Sequence, residues 1–203
     1  MTEFFLQEIM PTWRDGGWVL VPLFFLAVFI FGFGLELYLY LSKKRYHRLS
    51  EPVCREWISE PGKSEGEVGE IIRYACSGGK SIGELQSRFS EIRLAEFPRI
   101  NRRLLFLMVL VAAAPLTGLL GTVFGMLSTF SGLADGTGRV IEGVASGISE
   151  ALITTQMGLL IAISGYFLIH AIQRKRNQYD AFLARLESLI ARRHKEKAQG
   201  EIL

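Results

Sequence analysis

Charge is what this sequence lacks over most of its apolar length. Leu104 to Leu133 runs for 30 residues without an Asp, Glu, Lys or Arg. Trp18 to Leu41 has one charge in 24 residues, Glu36, and Val144 to Ile172 has one in 29, Glu150. Helices of a soluble protein ordinarily carry a polar face, so these runs point away from three buried helices of a soluble protein. A helix of about 20 mostly apolar residues crosses the hydrocarbon of a bilayer. Three membrane-spanning helices are therefore expected in an all-α integral membrane protein. They cover 18–41, 104–133 and 140–172, the second and third long enough to extend into the cytoplasm.

Other shortages narrow the function. There are two cysteines, Cys54 and Cys76, both between the first two spans. They read as reduced thiols and cannot form a paired CxxC zinc site. The three histidines, His47, His170 and His194, lack ligand spacing, so no metal is expected. A phosphate-binding GxxxxGK[ST] loop is absent, because Gly78-Gly79-Lys80-Ser81 lacks the first glycine at the required distance. With no nucleophile–base pair in view, neither an enzyme nor an organic cofactor is expected. The first 15 residues carry Glu3 and Glu8 and no basic start, unlike a signal peptide. Phe4, Phe5, Ile9 and Trp13 recur at helical spacing, so residues 1–17 are expected to form an amphipathic helix on the outer membrane surface.

Basic residues set the orientation. Of 23 Lys and Arg, 13 lie between residues 42 and 103 and 8 between 171 and 203, leaving only Arg14 and Arg139. The positive-inside rule then puts the N-terminus and the 134–139 loop outside, with 42–103 and 173–203 cytoplasmic. The net charge of +3 reflects this topology and does not point to nucleic acid. Residues 42–103 read as a helical domain broken at Pro61-Gly62 and Gly78-Gly79. Its apolar faces come from Val53, Trp57, Val68, Ile71, Ile72, Leu85, Phe89, Ile92 and Leu94. Ser81 and Glu84 match a capping box for a helix starting near Ile82, and Pro98 marks a kink. In the tail, Tyr179, Phe182, Leu186, Leu189 and Ile190 continue the third helix as a packing stripe.

The long spans carry small residues every four positions. The second has Ala113, Thr117, Gly121, Gly125 and Thr129, beside Ala114, Gly118 and Thr122; the third has Gly143, Gly147, Ala151 and Thr155. Such rows let helices approach closely in lipid. Three helices cannot use every small face, but a ring of copies can.

Glu150 is the sharpest single feature. A charge at the centre of a spanning helix costs roughly 2.5–3.5 kcal/mol on insertion scales and reads as functional. At about 100° per residue, Gly143 and Thr154 lie within roughly 40° of Glu150 and Thr155 about 140° away. Glu150 and Thr155 therefore face different things: one a pore, the other a helix. The plain alternative is a structural carboxylate hydrogen-bonded to a hydroxyl such as Thr154, and for the threonines a bond back to their own helix. Glu36 is expected at the cytoplasmic interface, or paired with Arg102 or Arg103.

These stretches have a known look. Ala114-Pro115-Leu116-Thr117-Gly118-Leu119-Leu120-Gly121-Thr122-Val123-Phe124-Gly125-Met126 resembles the second-helix signature of the ExbB/TolQ/MotA proton-channel family. Gly147-Ile148-Ser149-Glu150-Ala151-Leu152-Ile153-Thr154-Thr155-Gln156-Met157-Gly158-Leu159 resembles its third-helix signature, and Gly16-Gly17-Trp18, Pro22 and Leu35-Glu36 its first helix. Three spans place the resemblance on the ExbB/TolQ branch. It implies a homopentameric ring around two single-span ExbD- or TolR-type partners, with protons as the coupling ion and a partner aspartate as main carrier. It also implies Thr122 and Thr155 on the pore wall, with the adjacent Thr154 the alternative hydroxyl, and Glu150 as the third-helix glutamate of the ion path. The small residues Gly118, Gly121, Gly125, Gly143, Gly147 and Gly158 are expected to pack helices. The stretch Val144-Ala145-Ser146-Gly147 departs from the family in lacking a proline.

The leading expectation is an ExbB-like inner-membrane motor subunit that energises TonB-dependent outer-membrane transport, with a TonB-like protein and membrane lipid as further partners. A TolQ-like envelope or gliding motor and a passive membrane scaffold are the alternatives.

Overall fold

The computed structural model describes residues 17–43, 51–60, 62, 64, 66–77, 82–134 and 140–200, all of them helix or short connection. The helices are α1 (Leu20–Lys43), α2 (Glu51–Ser59), α3 (Gly66–Cys76), α4 (Ile82–Ala134) and α5 (Val140–Gly200). Three of them, α1, α4 and α5, are long and apolar enough to cross a membrane. The N-terminal amphipathic helix, the loop after Ala134 and the Ser81 half of the capping box fall outside the described residues. Helix α4 begins at Ile82 and is unbroken through Pro98 and Pro115. Each proline lacks the N–H that the carbonyl four residues earlier would accept from.

Two units divide the chain. The first takes Met1–Leu35 and Leu105–His170, the second Glu36–Leu104 and Ala171–Leu203.

In the first unit the inside is small or aliphatic and the outside is large and apolar. Leu23, Ile30, Leu107, Val111, Ala114, Ala151, Ile161 and Ala162 are buried, whereas Phe24, Phe25, Phe29, Leu116, Leu119, Phe124 and Phe167 are exposed. A water-soluble protein cannot present such a surface, and a lipid-immersed one must. Phe33 and Phe106 meet edge to face, with ring centroids 5.6 Å apart. Gly34 leaves space that Leu168 and Leu107 fill.

The second unit has an ordinary hydrophobic core. Ile58, Val68, Ile72, Ala75, Leu85, Phe89, Leu186 and Ile190 cluster, with Trp57, Ile71, Ile92, Phe182 and Leu189 against them. Phe97, Tyr179 and Leu183 form an adjoining cluster, and Arg176 lies over the Phe97 ring at 5.1 Å. Arg93 ties α4 to α5 through Glu187 at 3.1 Å and Asp180 at 3.4 Å. At Gly66, φ of +74° suits glycine at the start of α3. Nearby, Arg73 donates to the Ser64 carbonyl at 2.5 Å. Leu94 differs from its expected role: it is 71% exposed. At about 100° per residue it stands roughly 140° from Phe89, beyond the edge of the stripe that Phe89 and Phe97 define.

Most buried positions on α4 between Phe97 and Gly125, and on α5, follow one rule, with Thr129 and Ala162 outside it. On α4 they run Phe97, Ile100, Leu104, Leu107, Val111, Ala114, Gly118, Gly121 and Gly125, alternating steps of three and four. On α5 the same alternation runs Gly147, Ala151, Thr154, Gly158, Ile161 and Gly165, then Tyr179, Leu183, Leu186 and Ile190. A 3.5-residue repeat is the mark of left-handed coiled-coil packing.

Candidate functional site

In the first unit the antiparallel seam of α4 and α5 is built on missing side chains. A Cβ added at Gly118 would stand 2.9 Å from the Thr154 carbonyl oxygen, and one at Gly125 2.7 Å from that of Gly147. One at Gly158 would stand 2.8 Å from the Ala114 carbonyl oxygen. These are backbone atoms, which cannot swing aside. Lipid tails give no hydrophobic drive between helices, so close backbone contact supplies the attraction instead. Gly121 leaves room for the Thr154 side chain and Gly147 for that of Thr129.

The row in contact differs from the four-residue rows read in the sequence. Of Ala113, Thr117, Gly121, Gly125 and Thr129, the first two are only half-buried, while Ala114 and Gly118 of the neighbouring row are buried. On α5 the seam passes from Ala151 to Thr154 and Gly158, leaving Thr155 half-buried and Gly143 exposed. No described atom lies within 4 Å of a Cβ placed at Gly143. The cause is the 3.5-residue period, which drifts from a strict four-residue row within two turns.

Every threonine among the described residues donates its hydroxyl proton to its own helix. Thr117 donates to the Ala113 carbonyl at 2.9 Å, Thr122 to Leu119 at 2.6 Å and Thr129 to Gly125 at 2.9 Å. Thr154, fully buried, donates to Ala151 at 3.0 Å and to the main-chain oxygen of Glu150 at 3.1 Å. Thr155 donates to Ala151 at 3.0 Å and reaches across the seam to Gly118 at 3.5 Å. The structure thus brings Thr154 and Thr155 against Gly121 and Gly118. Among the described residues no hydrogen bond joins Thr122 to Thr155 or to Glu150.

Glu150 is half-buried on α5, and it is the one charged residue between Gly143 and Ile172. Its carboxylate fills the place where a side chain at Gly17 would stand. Gly17 has φ of +64° and opens the turn into α1, its carbonyl accepting from Leu20 N–H at 3.3 Å. Two separate demands therefore select glycine there: the left-handed backbone and the space taken by Glu150. A carboxylate beside the first turn of a helix is also on the favourable side of its dipole. Sequence reading missed this use of Gly17. The one available signal was a Gly-Gly pair ahead of a long apolar run.

In the second unit Glu36 accepts from Arg103 at 3.4 Å. Both side chains stay largely in the open, at 64% and 48% exposure. Arg102, one residue away, is exposed.

Comparison with known proteins places this geometry. The MotA/TolQ/ExbB proton channel family matches residues 65–185, which hold the whole glycine seam, the threonines and Glu150. A Synechocystis protein named as an ExbB-like biopolymer transport protein is 29% identical over 162 residues, covering 73% of this chain and 77% of the relative. An ExbB homolog of Methanothermobacter thermautotrophicus is 30% identical over 175 residues, 78% of this chain and 61% of the relative. The Tol-Pal system protein TolQ of Pseudomonas aeruginosa is 37% identical over 97 residues, 48% of this chain and 38% of its own length. With the family match spanning more than half of its length, the chain belongs to the MotA/TolQ/ExbB proton channel family, on the ExbB/TolQ branch.

Proposed function

We propose that this membrane protein is the ExbB-like, ring-forming subunit of a motor driven by the proton-motive force in a bacterial inner membrane. Five copies surround the spanning helices of an ExbD- or TolR-type dimer. The N-terminus is periplasmic and the C-terminus cytoplasmic. Protons are the coupling ion, no organic cofactor takes part, and the output energises TonB-dependent outer-membrane transport. The chain moves ions and force and catalyses no covalent reaction.

One observation carries the reading: a single carboxylate, Glu150, stands half-buried beside the glycine seam of two spanning helices, inside the stretch that matches the family. An ionisable group at such a place is expensive and marks an ion path. Its position against Gly17, and not against Thr155, supports a role at the boundary between helices, adjusting the path whose wall Thr122 and Thr155 provide.

The test uses the assembled complex with its partner, in cells whose uptake depends on the proton-motive force. Glu150→Gln and Thr155→Ala are each expected to abolish or strongly reduce uptake while the ring still assembles. Full uptake in both variants would leave a passive scaffold as the better reading. Uptake that follows sodium instead of pH would reject protons as the coupling ion. A TolQ-like role in envelope maintenance is the second reading, favoured by the Pseudomonas match. Co-purification of Tol-type components in place of a TonB-like protein would select it.

A further inference from the structure

Where α1 and α4 reach the end of their uncharged runs, the second unit holds a cavity of about 550 Å³ lined by Leu37, Tyr40, Pro98, Arg99, Ile100, Arg102 and Arg103. The three arginines fall at i, i+3 and i+4 on α4, so they share one face of the helix. One carboxylate, Glu36, answers them, and it is held by Arg103. Among the described residues neither Arg99 nor Arg102 has an anionic partner. Two guanidinium groups are therefore left facing one opening without a counter-charge. Leu37 and Ile100 close the inner side and are themselves almost fully covered by the chain, while Tyr40 and Pro98 remain exposed.

The sequence fixes the depth of this cavity in the bilayer. Arg102 and Arg103 are the last charges before the 30 uncharged residues from Leu104, and Tyr40 is three residues from the end of α1. That is the interfacial zone, where arginine and tyrosine hold their polar ends at headgroup level. The occupant must be an anion that also brings hydrocarbon. Guanidinium forks match phosphate oxygens in pairs, and basic pockets between spanning helices hold acidic lipid headgroups. The volume lies in the range of small-molecule sites, about 300–1,000 Å³.

The geometry points to a binding site for one anionic phospholipid, its phosphodiester on Arg99 and Arg102 and its glycerol end beside the exposed Tyr40 and Pro98, with the acyl chains in the bilayer. Glu36 supplies the counter-charge of Arg103, which shares the cavity lining. The site stands whether or not the ring drives a motor, since it needs only the membrane and this chain.

The experiment is native mass spectrometry of the full-length protein in its purified assembly, stripped of lipid by detergent exchange. The stripped protein is titrated with phosphatidylglycerol, phosphatidylcholine or inorganic phosphate. Phosphatidylglycerol is expected to be retained at least about tenfold better than phosphatidylcholine. Arg99→Gln with Arg102→Gln should weaken it on the order of thirtyfold, as loss of two interfacial cations predicts. Phosphatidylcholine, whose choline offsets the charge of the same phosphodiester, should lose less than phosphatidylglycerol, and Arg99→Lys with Arg102→Lys should keep part of the preference. Helicity by circular dichroism reports folding; if the double Gln variant does not fold, the two single variants are read, each expected to lose about fivefold. Equal retention of the two lipids, undiminished phosphatidylglycerol binding in the Gln variants, or displacement of the lipid by millimolar phosphate would each overturn the assignment.

Discussion

The Glu150 carboxylate and the missing side chain of Gly17 occupy one volume. An acidic group in a membrane span is thereby seated against the turn that opens another span. The contact joins residues far apart in sequence and constrains both.

Coupling between them is measurable. Gly17→Ala is expected to cost about 1–2 kcal/mol from the left-handed backbone alone, and more because the methyl displaces the carboxylate. In a Gly17→Ala, Glu150→Ala double variant the second part disappears and only the backbone strain remains. A double-mutant cycle on thermal unfolding in detergent reads the difference. Strict additivity would show that the two groups do not meet.

The glycines of the seam should sort by their surroundings. Gly118→Ala, Gly125→Ala and Gly158→Ala force a methyl within 3 Å of a backbone oxygen of the facing helix. Overpacking of this kind costs about 1–3 kcal/mol. Gly143→Ala and Gly32→Ala meet no atom within 4 Å in the single chain. Their gain in helix propensity, roughly 0.5–1 kcal/mol, should show as a small stabilisation of the monomer. Melting temperatures of the five variants test the ranking, and a destabilising Gly143→Ala confined to the assembled ring would place that glycine at a subunit contact.

In the second unit, Phe89→Ala empties a fully buried site and should cost about 3–5 kcal/mol. Leu94→Ala, at an exposed position five residues on, should stay within about 0.5 kcal/mol of the parent. Chemical denaturation of the two variants side by side reads the phase of the stripe on α4.

Tyr74 offers a pH signature outside the membrane. Its hydroxyl donates to Glu91 at 2.6 Å. That bond, and then the charge of the same carboxylate, raise the phenol above its ordinary value of 10.0. Ionising the phenol would lose the donor and set two anions together. Because the folded value exceeds the unfolded one, the contribution is present below pH 10.0 and is lost as pH rises through the raised value. The stability difference between parent and Tyr74→Phe should therefore be larger at about pH 8 than at about pH 11. A difference that grows with pH would contradict the bond.

Much of the helical order was legible in residue types alone. Long uncharged runs announce spanning helices because hydrocarbon tolerates little else. The stripe of Tyr179, Phe182, Leu186, Leu189 and Ile190 was equally plain, since each belongs to or borders a core cluster. The phase of the glycine seam was not. Small residues lie on several faces of α4, and composition cannot say which row the partner helix touches. Leu94 was misplaced for a related reason: an apolar residue one step off a stripe looks like part of it. Gly17 was invisible as a partner of Glu150 because nothing local to either residue refers to the other. The ion-pair choice of Glu36 is not local either: Arg102 and Arg103 are adjacent in sequence and only Arg103 is in reach.

The threonine hydroxyls carry one further consequence. Each has spent its single proton on a carbonyl of its own helix. What a hydroxyl so committed has left to offer is a pair of lone pairs and no donor. If Thr122 and Thr155 border a passage as proposed, its wall would present oxygen that can only receive. Such oxygens would solvate a hydronium ion or a bare metal cation and leave an anion without a partner.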